Sequence, residues 1–142
     1  LQHQVSFDFM KLIKHDPASA LASPAPVIIG HVANQVLVGE IDATNLRVTS
    51  VTFHDGARNL PHRHSCDQVL VVTDGHGIIA TEYETHEVTN GDVVVIPAGD
   101  VHWHGALPGM SMTHLSIVTP HETEFAPEAI ATGLEFVEVV AP

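Results

Sequence analysis

Two short segments of the chain carry histidines two residues apart: His62-Arg63-His64 and His102-Trp103-His104. On an extended strand, residues two apart share a face, so each segment can aim two imidazoles at one point. Gln68 has the same parity as His62 and His64, provided that Ser65-Cys66-Asp67 does not bend the chain between them. Trp103 falls on the face opposite His102 and His104. Neutral imidazole is the commonest protein metal ligand, so the chemistry on offer is capture of a transition-metal ion. One His-x-His pair arises by chance on surface strands; two pairs, each beside glycine and proline turns, point to a shared site. His104 has two readings: a general base beside the metal, or a buried histidine that supports its neighbours. His114, in Met112-Thr113-His114-Leu115, is either a second acid–base group or a packing residue. Arg58 is an anchor for an anionic substrate or a solvated loop residue, and Cys66 carries no expected redox role. His3, His15, His31, His76, His86 and His121 receive no functional reading.

The elements that must position these residues read as all-β. Short β-rich runs recur at Gln35–Ile41, Leu46–His54, Gln68–Thr73, Ile78–Tyr83, Glu87–Thr89, Val93–Ile96, Val101–Gly105 and Ser111–Thr119. Turn signals separate them: Asp42-Ala43-Thr44-Asn45, Asp55-Gly56, Asp74-Gly75-His76-Gly77, Asn90-Gly91 and Pro108-Gly109. Asn90-Gly91 and Gly75-His76-Gly77 are expected to supply the positive-φ positions of tight hairpins. Short, evenly spaced strands predict a sandwich or small barrel. Asp16–Pro26, rich in Pro, Ala and Ser, reads as a linker, which divides the chain into an N-terminal arm and linker, 1–26, and a barrel domain, 27–142. A helical turn or two is expected around Pro127–Ala131, and a last strand at Leu134–Val140.

With 142 residues the chain suits one domain with a real core, and 44% hydrophobic with 15% charged residues excludes a disordered chain or a coiled coil. All five Lys and Arg lie within residues 1–63, whereas twelve of the seventeen acids lie beyond them. A net charge of −12 repels phosphate backbones and anionic lipid, which argues against nucleic-acid or membrane partners. Runs such as Val93-Val94-Val95-Ile96 are too short to span a bilayer. The lone Cys66 rules out an internal disulfide framework and fits a reducing compartment. With no basic region followed by an apolar one near Leu1, the cytoplasm is the expected location, although a start without Met is compatible with a trimmed leader.

Gly56, His62, His64, Gln68 and Gly75, followed by Gly91, Pro97, Gly99 and His102, resemble in identity and spacing the two motifs of the cupin superfamily. The resemblance covers roughly residues 46–119 and implies a small double-stranded β-helix, or jelly-roll, barrel. It implies a divalent metal held by His62, His64, Gln68 and His102. Gln68 stands where most cupins have a glutamate ligand, and Ala106 where an Asn is frequent. His-Trp-His-Gly-Ala and Met112-Thr113-His114-Leu115 are similar to a subgroup that includes the bacterial manganese hydroxynitrile lyases and cupins associated with carboxymuconolactone decarboxylases. Manganese is therefore the first expectation for the ion, with Fe, Ni, Co or Zn also suited to mixed N/O ligation. Small cupins of this kind usually form homodimers. Val5, Phe7, Phe9, Phe136, Val137 and Val139, outside the motif core, need burial of the sort a second copy provides.

Three imidazoles and an amide oxygen are all neutral, so a bound divalent ion would keep its full +2 charge. That favours Lewis-acid action on a substrate oxygen and disfavours the higher oxidation states of O2 chemistry. Three functions follow. The first is a hydroxynitrile-lyase-like enzyme acting on a small organic substrate, with His104 and His114 moving protons. The second is an Fe(II)-dependent cupin dioxygenase. The third is a non-catalytic metal or small-ligand binding module.

Overall fold

The computed structural model describes residues 9–23 and 28–126. Ten strands make up most of it: β1 (Leu21–Ala22), β2 (Ile28–Val38), β3 (Arg47–Asn59), β4 (His62–His64), β5 (Gln68–Thr81), β6 (Thr85–Thr89), β7 (Val93–Ile96), β8 (His102–Ala106), β9 (Met112–Val118) and β10 (Thr123–Phe125). The fold is the expected all-β jelly-roll barrel. Every pairing is antiparallel, and the pairings β3–β9, β9–β5, β5–β8 and β8–β3 form a closed circuit. The one helical turn among the described residues is a 3-10 turn at Pro17–Ser19, capped by the Asp16 carboxylate accepting from the Ala18 N–H. No helix there is long and apolar enough to cross a membrane.

Two sites expected to be turns are bulges inside long strands. At Asp55-Gly56 both residues have positive φ, 51° and 77°, and β3 continues through them to Asn59. Just before Asp74-Gly75, between Val72 and Asp74, β5 slips register against β9, and it continues to Thr81. Gly75 is obligatory there: its φ is +81°, and an added Cβ would lie 2.0 Å from the Ser111 carbonyl oxygen. The slip also reverses the parity of β5. Leu70 and Val72 point into the barrel core before it, Ile79 does so after it, and Ile78 and Ala80 join Trp103 in a second cluster. The first half of β5 lies between β7 and β9 and the second half between β6 and β8, so one strand serves both layers of the roll. Asn90-Gly91 likewise makes no hairpin, because β6 and β7 each pair with β5 rather than with each other. Its turn is tied down by the Gly91 N–H donating to the Val72 carbonyl at 2.8 Å.

Phe53, Leu70, Val72, Ile79 and Met112 fill the barrel, while Met110 is half exposed. Within the segment expected as a linker, Leu21 and Ala22 pair with Asn34 and Ala33 and extend the sheet edge. Phe9 is exposed. Val5, Phe7, the turn around Pro127–Ala131 and the strand expected at Leu134–Val140 lie outside the described residues.

Candidate metal centre

β4 and β8 are neighbours in the barrel wall, and their antiparallel register sets His62 directly opposite His102. Alternation along β4 brings His64 to the same side as His62. One ring nitrogen from each of His62, His64 and His102 lies within 4.8 Å of the other two. Gln68 opens β5 from inside the barrel, almost wholly buried, with its Oε1 3.1 Å from His102 Nε2. Its own Nε2 donates to Ser116 Oγ at 2.8 Å, which turns the amide oxygen toward the histidines. All four residues implied by the resemblance therefore converge. Trp103 sits in the other cluster, on the face opposite His102, as strand alternation requires.

The hydrogen bonds outside the cluster determine what the ring nitrogens inside it can do. His62 Nδ1 donates to the Leu60 carbonyl at 2.6 Å, and His102 Nδ1 to the Asp100 carbonyl at 2.9 Å. A carbonyl only accepts, so both protons sit on Nδ1 and both Nε2 lone pairs face inward, the tautomer that binds a metal. His64 Nδ1 meets Thr123 Oγ1 at 2.8 Å, and its Nε2 is buried with no hydrogen-bond partner. The His102 Nε2 lone pair and the Gln68 oxygen face each other at hydrogen-bond distance with no proton between them. An orphaned buried nitrogen and two opposed acceptors are what a cation would satisfy, so the donors fit a divalent metal ion.

Burial keeps the cluster neutral. Loss of solvation, reinforced by repulsion from His102, holds the His62 imidazole down to about 4. Burial likewise lowers His64 to about 4, helped by the charges that His62 and His121 would carry, and lowers His102 to about 4. At neutral pH these rings carry free lone pairs and offer an ion no compensating negative charge.

His104 and His114 form a second, deeper pair. The His104 ring lies 5.5 Å from that of His102, nearly parallel to it, and 5.6 Å from that of His62. His114 Nε2 is 3.0 Å from His104 Nδ1, and Phe53 packs against both rings. Burial first, then the neighbouring His114, pushes His104 well below the usual histidine range; burial brings His114 to about 4. Asn59, which sequence reasoning missed, locks His104 in place. Its Oδ1 accepts the His104 backbone N–H at 2.9 Å, and its amide nitrogen stands 3.3 Å from both ring nitrogens.

A cavity of about 270 Å³ opens onto His62 and His64, lined by Ile28, Val32, Val51, Phe53 and Phe125 together with polar Ser23, Asn34, Asn59 and Thr123. Among the described residues its lining includes neither Arg58 nor any other Lys or Arg. Arg63, on the other side of β4, is ion-paired with Glu124 through an Nε to Oε1 bond of 2.6 Å. Cys66 is half-buried, with its thiol 3.9 Å from the Thr119 carbonyl oxygen. Thr123 and Ser116, which orient two of the converging side chains, carry no motif signal. His121, whose ring stands 4.8 Å from that of His64, gave none either.

A closed jelly-roll with three histidines clustered on β4 and β8 is the setting in which the cupin domain family matches residues 49–118. The chain belongs to the cupin family. It is 41% identical over 95 residues to an (R)-mandelonitrile lyase of Granulicella tundricola, a match covering 66% of this chain and 72% of that protein. Among solved structures, a cupin-like protein of Thermotoga maritima superposes with a TM-score of 0.73 at 30% identity, over 84% of this chain and 92% of that one. The polyketide cyclase RemF of Streptomyces resistomycificus gives 0.75 at 18% identity, over 94% of this chain and all of that one, and so shares the fold.

Proposed function

We propose that this cupin is a divalent-metal-dependent lyase that cleaves and forms the carbon–carbon bond of small cyanohydrins, with Mn(II) as its working ion. His62, His64, Gln68 and His102 are the ligands in this reading. The observation that carries it is the wholly neutral donor set beside a small cavity with an aromatic and aliphatic side, whose lining among the described residues holds no Lys or Arg. The identity to a mandelonitrile lyase supports the same choice of chemistry. When bound, the ion supplies a Lewis acid for one substrate oxygen, in an unchanged oxidation state.

The chain's own residues supply binding and proton transfer. Phe53, Val51 and Phe125 offer an aryl or alkyl group an apolar surface to pack against. In cleavage, His104 accepts the hydroxyl proton at Nε2 while its Nδ1–H bonds to His114 Nε2. The O–H electron pair becomes the carbonyl π bond, and the bond to the nitrile carbon breaks with its electrons leaving as cyanide. Cyanide takes the proton back from His104 and departs as hydrogen cyanide. Sharing that proton with His114 spreads the transient charge over two rings, which a fully buried imidazole needs.

The test is cleavage of mandelonitrile by Mn(II)-loaded protein under strict exclusion of O2, followed as benzaldehyde release. Turnover without O2 is the expected result. Inert cyanohydrins, together with O2 consumption by the Fe(II) form on a diketone or thiol, would replace this reading with a dioxygenase. Inertness toward both substrate classes would leave a binding protein.

A further inference from the structure

The three histidines of the cluster are not held alike. His62 and His102 each donate Nδ1–H to the backbone carbonyl two residues earlier, Leu60 and Asp100, so each tautomer is fixed within its own segment. His64 has no such carbonyl. Its Nδ1 faces the hydroxyl of Thr123, 59 residues away in sequence, at 2.8 Å. A hydroxyl can either accept or donate. When it accepts, the proton is on His64 Nδ1 and the Nε2 lone pair faces the cluster. When it donates, the proton moves to Nε2, a buried atom with no partner, and the ring cannot ligate.

We propose that Thr123 is a positioning residue that sets the tautomer and orientation of His64 and thereby the affinity of the metal centre; the proposal rests on the metal-site reading above. β10 is built to deliver that hydroxyl. It pairs residue for residue with β4, Thr123 to His64, Glu124 to Arg63 and Phe125 to His62. The Ser65 N–H donates to the Glu122 carbonyl at 3.0 Å and the Ala126 N–H to the Pro61 carbonyl at 3.1 Å, closing both ends of the register. Arg63 and Glu124 pair across the same two strands. The Phe125 ring stands 5.8 Å from that of His62, so the strand that orients one ligand also packs on another and walls the cavity. A cation at His64 Nε2 selects the state in which the Thr123 hydroxyl accepts.

The experiment compares wild type, Thr123→Val and Thr123→Ser as full-length, EDTA-stripped protein. Mn(II) is titrated in and free ion read by electron paramagnetic resonance. Valine keeps the β-branched shape and the backbone pairing but removes the hydroxyl; serine keeps the hydroxyl. Valine should weaken Mn(II) binding about tenfold, the lower end for loss of a partner that orients a ligand, and serine should stay within about twofold of wild type. The second readout needs no metal: 15N spectra of the histidine rings should show His64 protonated at Nδ1 in wild type and the serine variant, and shifted toward Nε2 in the valine variant. Equal Mn(II) affinity of the valine variant and wild type, or an unchanged His64 tautomer, would overturn the role of Thr123 alone. Failure of wild type to bind Mn(II) would overturn the metal-site reading and this inference with it.

Discussion

Lowering the pH from 7.5 to 5.0 should destabilise the metal-free protein far more than an ordinary surface would. His62, His102 and His114 are buried with pKa values brought down to about 4 from an unfolded value of 6.5. Between those two values the unfolded chain binds protons that the folded chain refuses, so stability rises with pH. The contribution is fully present above about 6.5, is lost as pH falls toward 4, and changes no further below that. At pH 5.0 each of the three rings costs about 2 kcal/mol relative to pH 7.5, or about 6 kcal/mol together. The figure is insensitive to the folded value, because most of it comes from protonating the unfolded chain. His104, also held low, adds in the same direction. Against a total of about 5–15 kcal/mol for a domain, such a loss should bring the protein close to unfolding. Urea denaturation at half-unit pH steps in EDTA measures it directly, and His114→Gln should remove about one proton from the linkage slope. A loss below about 1 kcal/mol between pH 7.5 and 5.0 would refute the claim that these rings are buried and neutral.

Gln68→Glu should tighten Mn(II) binding and lower cyanohydrin turnover by at least about tenfold, because the added charge weakens the Lewis acid; equilibrium dialysis and benzaldehyde release report the two effects. His104→Ala should cut turnover by roughly 10²–10⁴, as loss of a general base does, while metal content by mass spectrometry stays at the wild-type level. Gly105→Ala should cost at least about 2 kcal/mol, visible as a Tm lowered by about 6 °C, because its Cβ would stand 2.5 Å from Arg58 Cβ and 2.6 Å from the Ala57 carbonyl oxygen.

Strand parity made much of the site legible. His62 with His64, and His102 with His104 opposite Trp103, needed only the two-residue period of a strand, and the structure keeps each pair on one side. The strand breaks were misread because glycine at positive φ serves a hairpin and a bulge equally well. At Gly75 the difference lies in β9, which approaches so closely that only a bulge fits, and that contact is remote in sequence. The supporting residues were invisible for the same reason. Asn59, Ser116 and Thr123 are ordinary strand or edge residues until the fold brings them to His104, Gln68 and His64. β10 is three exposed residues without hydrophobic alternation, and its pairing with β4 defines it as a strand.

In the proposed site His62, His64, Gln68 and His102 hold one divalent ion without a carboxylate. The most direct measurement is elemental analysis of the full chain purified without added metal and then titrated with Mn(II), beside the His62→Ala/His102→Ala double variant. Wild type should saturate at about one ion per chain and the double variant should hold none, since two remaining neutral donors cannot retain it. Full occupancy of the double variant, or no uptake by wild type, would contradict this ligand set.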